Sequence, residues 1–237
     1  MEYRLSQIAH IRTDFKEKFG VPRQAGVVPG LKGKIVFEPE FRNADMLKGL
    51  EEFSHLWLIW EFSKNLDEDG NSRWTPTVRP PRLGGNERKG VFATRSPFRP
   101  NPLGLSVVKI EKITEEPGLG PVIYVLGADM VDNTPVFDIK PYIPYADSVP
   151  DAKGGFTDKR EYRTLEVECS STAEAAIKKI VSGEDAAFFE NLKEILRNDP
   201  RPHYQNDPDR IYGMSYAGYE VKFRVDGDVI NIVDIIK

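Results

Sequence analysis

Residues 53–62 read Phe53-Ser54-His55-Leu56-Trp57-Leu58-Ile59-Trp60-Glu61-Phe62. A short run this rich in aliphatic and aromatic side chains reads as a buried strand. Further strands are expected around it. Upstream they are Ser6–Thr13 and Lys34–Phe37, separated by the Gly- and Pro-punctuated loop 16–30. Downstream, Gly104–Thr114 alternates and Val122–Val131 follows a Pro117-Gly118 turn. Leu66–Gly90 reads as irregular. Thr134–Pro150 reads as loop with a short extended piece, and Thr164–Cys169 as another strand. Several strands, short connections and few helices before about residue 150 point to a β-barrel or sandwich-like domain, 1–150.

The last part of the chain, 151–237, changes character and reads as a smaller α+β appendage. Ser171-Thr172-Ala173-Glu174 is a capping-box pattern that opens a helix. Ser182-Gly183-Glu184-Asp185 interrupts it. Phe189, Leu192, Ile195 and Leu196 then mark one helical face, which Asp199-Pro200 terminates. Val221, Phe223 and Val225 alternate with polar residues, and Asp226-Gly227 signals a hairpin into Val229–Ile236. The fold class is therefore mainly β with an α+β appendage.

The 237 residues carry 33 Lys+Arg against 37 Asp+Glu, a net charge of −4. That average conceals a local field. From Arg73 to Lys112 nine basic residues face only Glu87 and Glu111, so this segment is +7 and the remainder −11. Its arginines are interleaved with Trp74, Phe92 and Phe98 and with stiff Pro and Gly turns. Arginine forks and aromatic faces suit an anionic, planar ligand; composition alone is equally consistent with a solvated basic loop.

Cys169 is alone, which excludes an intramolecular disulfide and suits a reducing compartment. The N-terminus has no apolar core of a secretory signal, and the longest apolar run, Leu56–Trp60, is far below the ~20 residues of a membrane span. A cytoplasmic protein with no membrane contact is expected. There is no P-loop, no Gly-x-Gly-x-x-Gly opening a helix, and no Gly-x-Ser-x-Gly elbow. His10, His55 and His203 lie at no metal-binding spacing, so no metal is expected. His55 reads as a core histidine before a catalytic base.

The run GVFATRSPFRPNPLGLS, Gly90–Ser106, stands out because Pro97, Pro100 and Pro102 fix an irregular path. With Arg79-Pro80-Pro81-Arg82, Pro22-Arg23-Gln24, Phe53–Trp57, Asp129 with Val131-Asp132, Asp138–Tyr142 and Asp199-Pro200-Arg201-Pro202, it resembles the TsaA-like (TrmO) family of methyltransferases. The resemblance extends over almost the whole chain. It implies a non-Rossmann β-barrel that binds S-adenosylmethionine and methylates N6 of threonylcarbamoyladenosine beside the tRNA anticodon. It also implies a homodimer with the cofactor site near the subunit interface.

The resemblance places the cofactor around Pro22, Arg23, Gln24, Ser63, Lys64, Arg95, Leu105, Leu126, Gly127, Ala128 and Asp129. The chemistry agrees: Arg95 can fork a carboxylate, and Asp129 can accept from hydroxyls or an ammonium. Arg79, Arg82, Arg99 and Lys140 are expected to hold the tRNA or the threonyl carboxylate. Asp129, Asp138 and Tyr142 are the candidate catalytic groups. A non-catalytic module binding S-adenosylmethionine or RNA on the same barrel is the alternative reading.

Overall fold

The computed structural model describes residues 3–80, 87–158, 163–183, 187–201 and 207–237. In chain order the strands and helices are β1 Ala9–Thr13, β2 Lys32–Phe37, β3 His55–Glu61, β4 Thr77–Val78, β5 Lys89–Gly90, β6 Leu103–Glu116, β7 Gly120–Leu126, β8 Thr134–Pro141, α1 Pro144–Asp147, β9 Glu166–Cys169, α2 Ser171–Gly183, α3 Phe188–Arg197, β10 Tyr212–Tyr216, β11 Tyr219–Asp226 and β12 Val229–Ile236.

Six strands close into a barrel in the order β1-β2-β7-β6-β3-β8, every neighbour antiparallel. Closure leaves no exposed edge in this sheet. The interior is filled by alternate residues, among them Ile11, Ile35, Leu56, Leu58, Trp60, Ile123, Val125 and Val136. β3 is therefore not buried throughout: Leu56, Leu58 and Trp60 point in, while His55, Trp57 and Ile59 lie on the outer wall. Gly104 makes room for Trp60, since a Cβ there would lie 2.2 Å from the indole Cε2.

Two sequence expectations change. Thr134–Pro141 is a full barrel strand rather than loop, because both β1 and β3 pair with it. The strand expected over Val122–Val131 ends at Leu126, where Gly127 takes a left-handed φ of +78° that a strand cannot continue through.

In the C-terminal part, β10-β11-β12-β9 form a four-stranded sheet with β9 parallel to β12. Leu192, Ile195 and Leu196 of α3 and Ala173, Ile177 and Ile180 of α2 share one core with Val221, Phe223, Ile230 and Ile232 of the sheet. The cap of α2 is Ser170 rather than Ser171: its Oγ accepts from Ala173 N–H at 3.1 Å. Glu184 and Asp185 of the expected interruption lie outside the described residues. Arg201 pairs with Asp199 at 2.9 Å and lies over Tyr212, so the motif closing α3 ties that helix to β10.

The loop between β1 and β2 belongs to both parts. Phe15, Val28 and Leu31 are buried in the C-terminal core, with Phe19 and Val27 packed against it. Phe15 meets Tyr216 at 5.4 Å between ring centroids, and Phe19 stacks on Phe223 at 6.3 Å. Ala217 N–H donates to Asp14 O, and Asn191 Nδ2 to Gly30 O. Among the described residues no helix is long and apolar enough to cross a membrane.

Candidate active site

Four loops meet at the end of the barrel where β3 and β7 finish and β6 begins. The first is the β1–β2 loop, whose Gly26 N–H donates to Gly127 O at 2.9 Å. The second is the turn after β7, where Gly127 N–H donates back to Leu31 O at 2.8 Å. The third follows β3: Lys64 O accepts from Lys18 Nζ at 3.1 Å, and buried Asn65 donates to Pro97 O at 2.9 Å. The fourth is the stiff run 91–102, held by Phe62 N–H on Pro102 O at 2.7 Å.

These contacts bring together most of the residues that the resemblance assigns to the cofactor. Arg95 Nη1 donates to Gln24 Oε1 at 2.5 Å, joining residues 71 positions apart. Pro22, Arg23 and Gln24 lie on the clamped loop, Ser63 and Lys64 beside Asn65, and Leu126, Gly127, Ala128 and Asp129 on the turn it covers. A Cβ on Gly127 would come within 3.2 Å of the Gly26 backbone, so glycine permits this close approach. Leu105 is different: it lies on the outer wall opposite Ile59 and is 55% exposed.

Asp129 is the electrostatic centre of this mouth. Burial pushes its carboxyl from the usual 3.8 up to about 6. The Ser106 hydroxyl, the backbone N–H groups of Asp129 and Ala25, and the Arg95 charge oppose that rise without cancelling it. Ser106 Oγ donates to Asp129 Oδ1 at 2.7 Å, and Trp60 Nε1 donates to Ser106 Oγ at 3.0 Å. A carboxyl that titrates near neutrality is suited to proton exchange.

The other candidate catalytic groups lie elsewhere on this chain. Asp138 is on β8 beside Ile59, on the outer wall, in an ion pair with Lys140 at 3.0 Å. Tyr142 follows β8 at the opposite end of β3, where its N–H donates to His55 O. There, His55, Trp57, Val107, Tyr142 and Asp147 line a cleft of about 450 Å³, with Trp57 Nε1 donating to Asp147 Oδ2 at 3.0 Å. A single chain thus does not bring Asp129, Asp138 and Tyr142 together.

The basic residues divide in the same way. Arg79 is exposed, whereas Arg99 turns inward on its own loop: Nη1 donates to Thr94 O at 2.6 Å and Val91 O at 3.3 Å, and the guanidinium lies 5.8 Å from the Phe92 ring. Arg82 and His203 lie outside the described residues. Arg12 and Lys16 both pair with Asp132 on the turn after β7, an arrangement the sequence did not suggest. Ser106 and Trp60 were also missed. Their signal was available in the two-residue phase of β3 and β6, which turns both side chains inward.

Comparison with known proteins identifies the family. The family model for the tRNA-methyltransferase O N-terminal domain matches residues 10–148, and that for the TrmO C-terminal domain matches residues 162–237. The tRNA (adenine(37)-N6)-methyltransferase of Escherichia coli K12 is 41% identical over 230 residues, covering 94% of this chain and 93% of the relative. A putative S-adenosylmethionine-dependent methyltransferase of Pseudomonas aeruginosa, RcsF, is 38% identical over 237 residues, covering 99% and 98%. A crystal structure of TrmO superposes with a TM-score of 0.80 at 33% identity over the full length of both chains. TrmO from Pseudomonas aeruginosa gives the same score at 32% identity, covering 100% of this chain and 99% of that one.

Proposed function

This chain belongs to the tRNA-methyltransferase O family, and we propose that it transfers the methyl group of S-adenosylmethionine to N6 of adenosine 37 in tRNA. The substrate is the threonylcarbamoyl form of that adenosine. The observation that carries this reading is the convergence, at one barrel mouth, of the Gln24–Arg95 pair with the half-buried Asp129.

The donor set fits the cofactor. Arg95 offers a guanidinium for its carboxylate, and Asp129 an acceptor for a hydroxyl or a cation. The backbones of 22–24 and 126–128 offer donors and acceptors for the adenine. When bound, S-adenosylmethionine supplies a methyl already activated on a sulfonium, so little covalent help from the protein is needed. The protein's task is to hold the acceptor nitrogen in line and to remove one proton from it.

We assign that proton to Asp129 rather than Asp138 or Tyr142, because it stands at the mouth with a carboxyl able to exchange near neutral pH. Arg79 and Arg82 are assigned to the tRNA backbone or the threonyl carboxylate. Arg99 supports the loop that carries Arg95. Lys140, with Asp138, lies on the outer wall, as does Leu105.

That wall supports a homodimer. Ile59 and Trp57 of β3 stand opposite Leu105 and Val107 of β6, forming an apolar stripe on the outside of the barrel. A second copy seated there would return Leu105, Asp138 and Lys140 to the neighbourhood of a site. A cytoplasmic location follows from the substrate.

The test is incubation of labelled S-adenosylmethionine with tRNA carrying or lacking the threonylcarbamoyl group. Label is expected in the modified tRNA alone. Cofactor binding without transfer to either tRNA would overturn the enzyme reading in favour of a binding module.

A further inference from the structure

Trp60, Ser106 and Asp129 form a hydrogen-bonded line through the inside of the barrel, and its direction is dictated by chemistry. An indole N–H can only donate. Ser106 Oγ therefore accepts from Trp60 Nε1 at 3.0 Å, and its single hydroxyl hydrogen is left for Asp129 Oδ1 at 2.7 Å. Both inner members are buried: Trp60 is 6% and Ser106 3% exposed. Packing keeps the indole in place, because Gly104 lies against its face with no room for a Cβ.

Oδ1 thus accepts from a hydroxyl whose own direction is set by the indole. We propose that Ser106, fixed by Trp60, is a positioning residue that orients the Asp129 carboxyl for the proton or hydrogen bond it takes in the reaction. This rests on Asp129 belonging to the methyl-transfer site. The groups facing the carboxyl are Ser106 from β6, the Ala25 N–H from the β1–β2 loop, its own N–H, and the Arg95 charge from the 91–102 run.

A hydrogen bond to the ionised form favours ionisation, so the hydroxyl also holds the carboxyl's titration down against burial. Removing it separates positioning from mere packing. The experiment compares the wild type with Ser106→Ala, Ser106→Thr and Trp60→Phe. Two readouts are taken: the ¹³C carboxyl titration of Asp129 in the protein alone, and the pH profile of single-turnover methyl transfer.

Ser106→Ala is expected to titrate at higher pH than the wild type and to move the acid limb of the rate profile the same way. Ser106→Thr, which keeps the hydroxyl, is expected to restore both. Trp60→Phe, which keeps an aromatic ring but removes the indole N–H and frees the hydroxyl to turn, is expected to show a smaller displacement in the same direction. It supplies the readout if the alanine variant does not fold. Superimposed titrations of the wild type, Ser106→Ala and Trp60→Phe overturn the proposal. Asp129→Asn separates the two layers. Loss of transfer in that variant, with superimposed titrations in the others, removes the positioning role and leaves the site. Wild-type transfer by Asp129→Asn overturns the site reading itself.

Discussion

Arg95 and Gln24 meet at 2.5 Å across 71 residues of sequence, tying the stiff arginine-rich run to the loop between β1 and β2. Arg95 is exposed and its fork is turned toward the mouth that also holds Asp129. Replacing Arg95 by Ala is expected to weaken S-adenosylmethionine binding by roughly ten- to a hundredfold, the worth of one charge-assisted contact. Calorimetry reads this directly, and an unchanged affinity would remove Arg95 from the site.

Asp129 makes the barrel mouth a stability liability with a defined pH window. Its folded-state carboxyl titrates at about 6 against an ordinary 3.8, so the folded chain binds its proton more tightly than the unfolded chain. The cost is absent below about pH 4, grows as pH rises through this window, and is complete above about pH 6. Asp129→Asn is expected to be more stable than the wild type at pH 8, by roughly 2 kcal/mol, and equal to it near pH 4. Urea denaturation at the two pH values checks the sign.

Arg79 and Arg99 are separated by salt. Arg79→Ala is expected to lower the slope of log affinity for tRNA against log salt by about 1, as loss of one phosphate contact does. Arg99→Ala is expected to leave the slope alone and to reduce stability by about 1–2 kcal/mol, because its hydrogen bonds go to Val91 and Thr94 carbonyls. A matching slope change in both variants would contradict the division.

Gly104→Ala tests the packing beneath the site. The added methyl has no place beside Trp60, and overpacking of this kind costs about 1–3 kcal/mol. A lowered urea midpoint is expected, together with reduced transfer as Trp60 and Ser106 shift.

Val107→Glu tests the outer wall. A carboxylate in the stripe beside Trp57 is expected to leave a folded monomer, seen by light scattering, if the parent forms the proposed dimer across this wall.

The barrel was legible where side chains alternate. β3 and β6 show the phase that fills the interior, and their expected bounds fall within a few residues of the observed ones. β8 was not, because Pro135, Pro141 and the Asp138–Lys140 pair give it the composition of a loop. It is a strand only because the closing barrel gives it two partners. The site was legible as a set of loop residues carried by resemblance. The alternation also carried a distinction that resemblance alone did not draw: Leu105 and Ser106 are adjacent in sequence, yet one faces out and the other in. The seating of Phe15–Leu31 in the C-terminal core was hidden, since those residues pack against strands some 200 positions away.

That seating has a thermodynamic consequence. Gln24 and Ala25 stand at the barrel mouth beside Asp129, while Phe15, Val28 and Leu31 on either side of them are part of the hydrophobic interior of the C-terminal sheet and Phe19 packs against it. The loop can be ordered only while that sheet is folded. By reciprocity, a ligand that orders the loop must protect the sheet against unfolding, though it touches none of its strands. Amide hydrogens of β10 to β12 should then exchange more slowly when the distant mouth is filled, so the appendage reports on occupancy as well as supporting it.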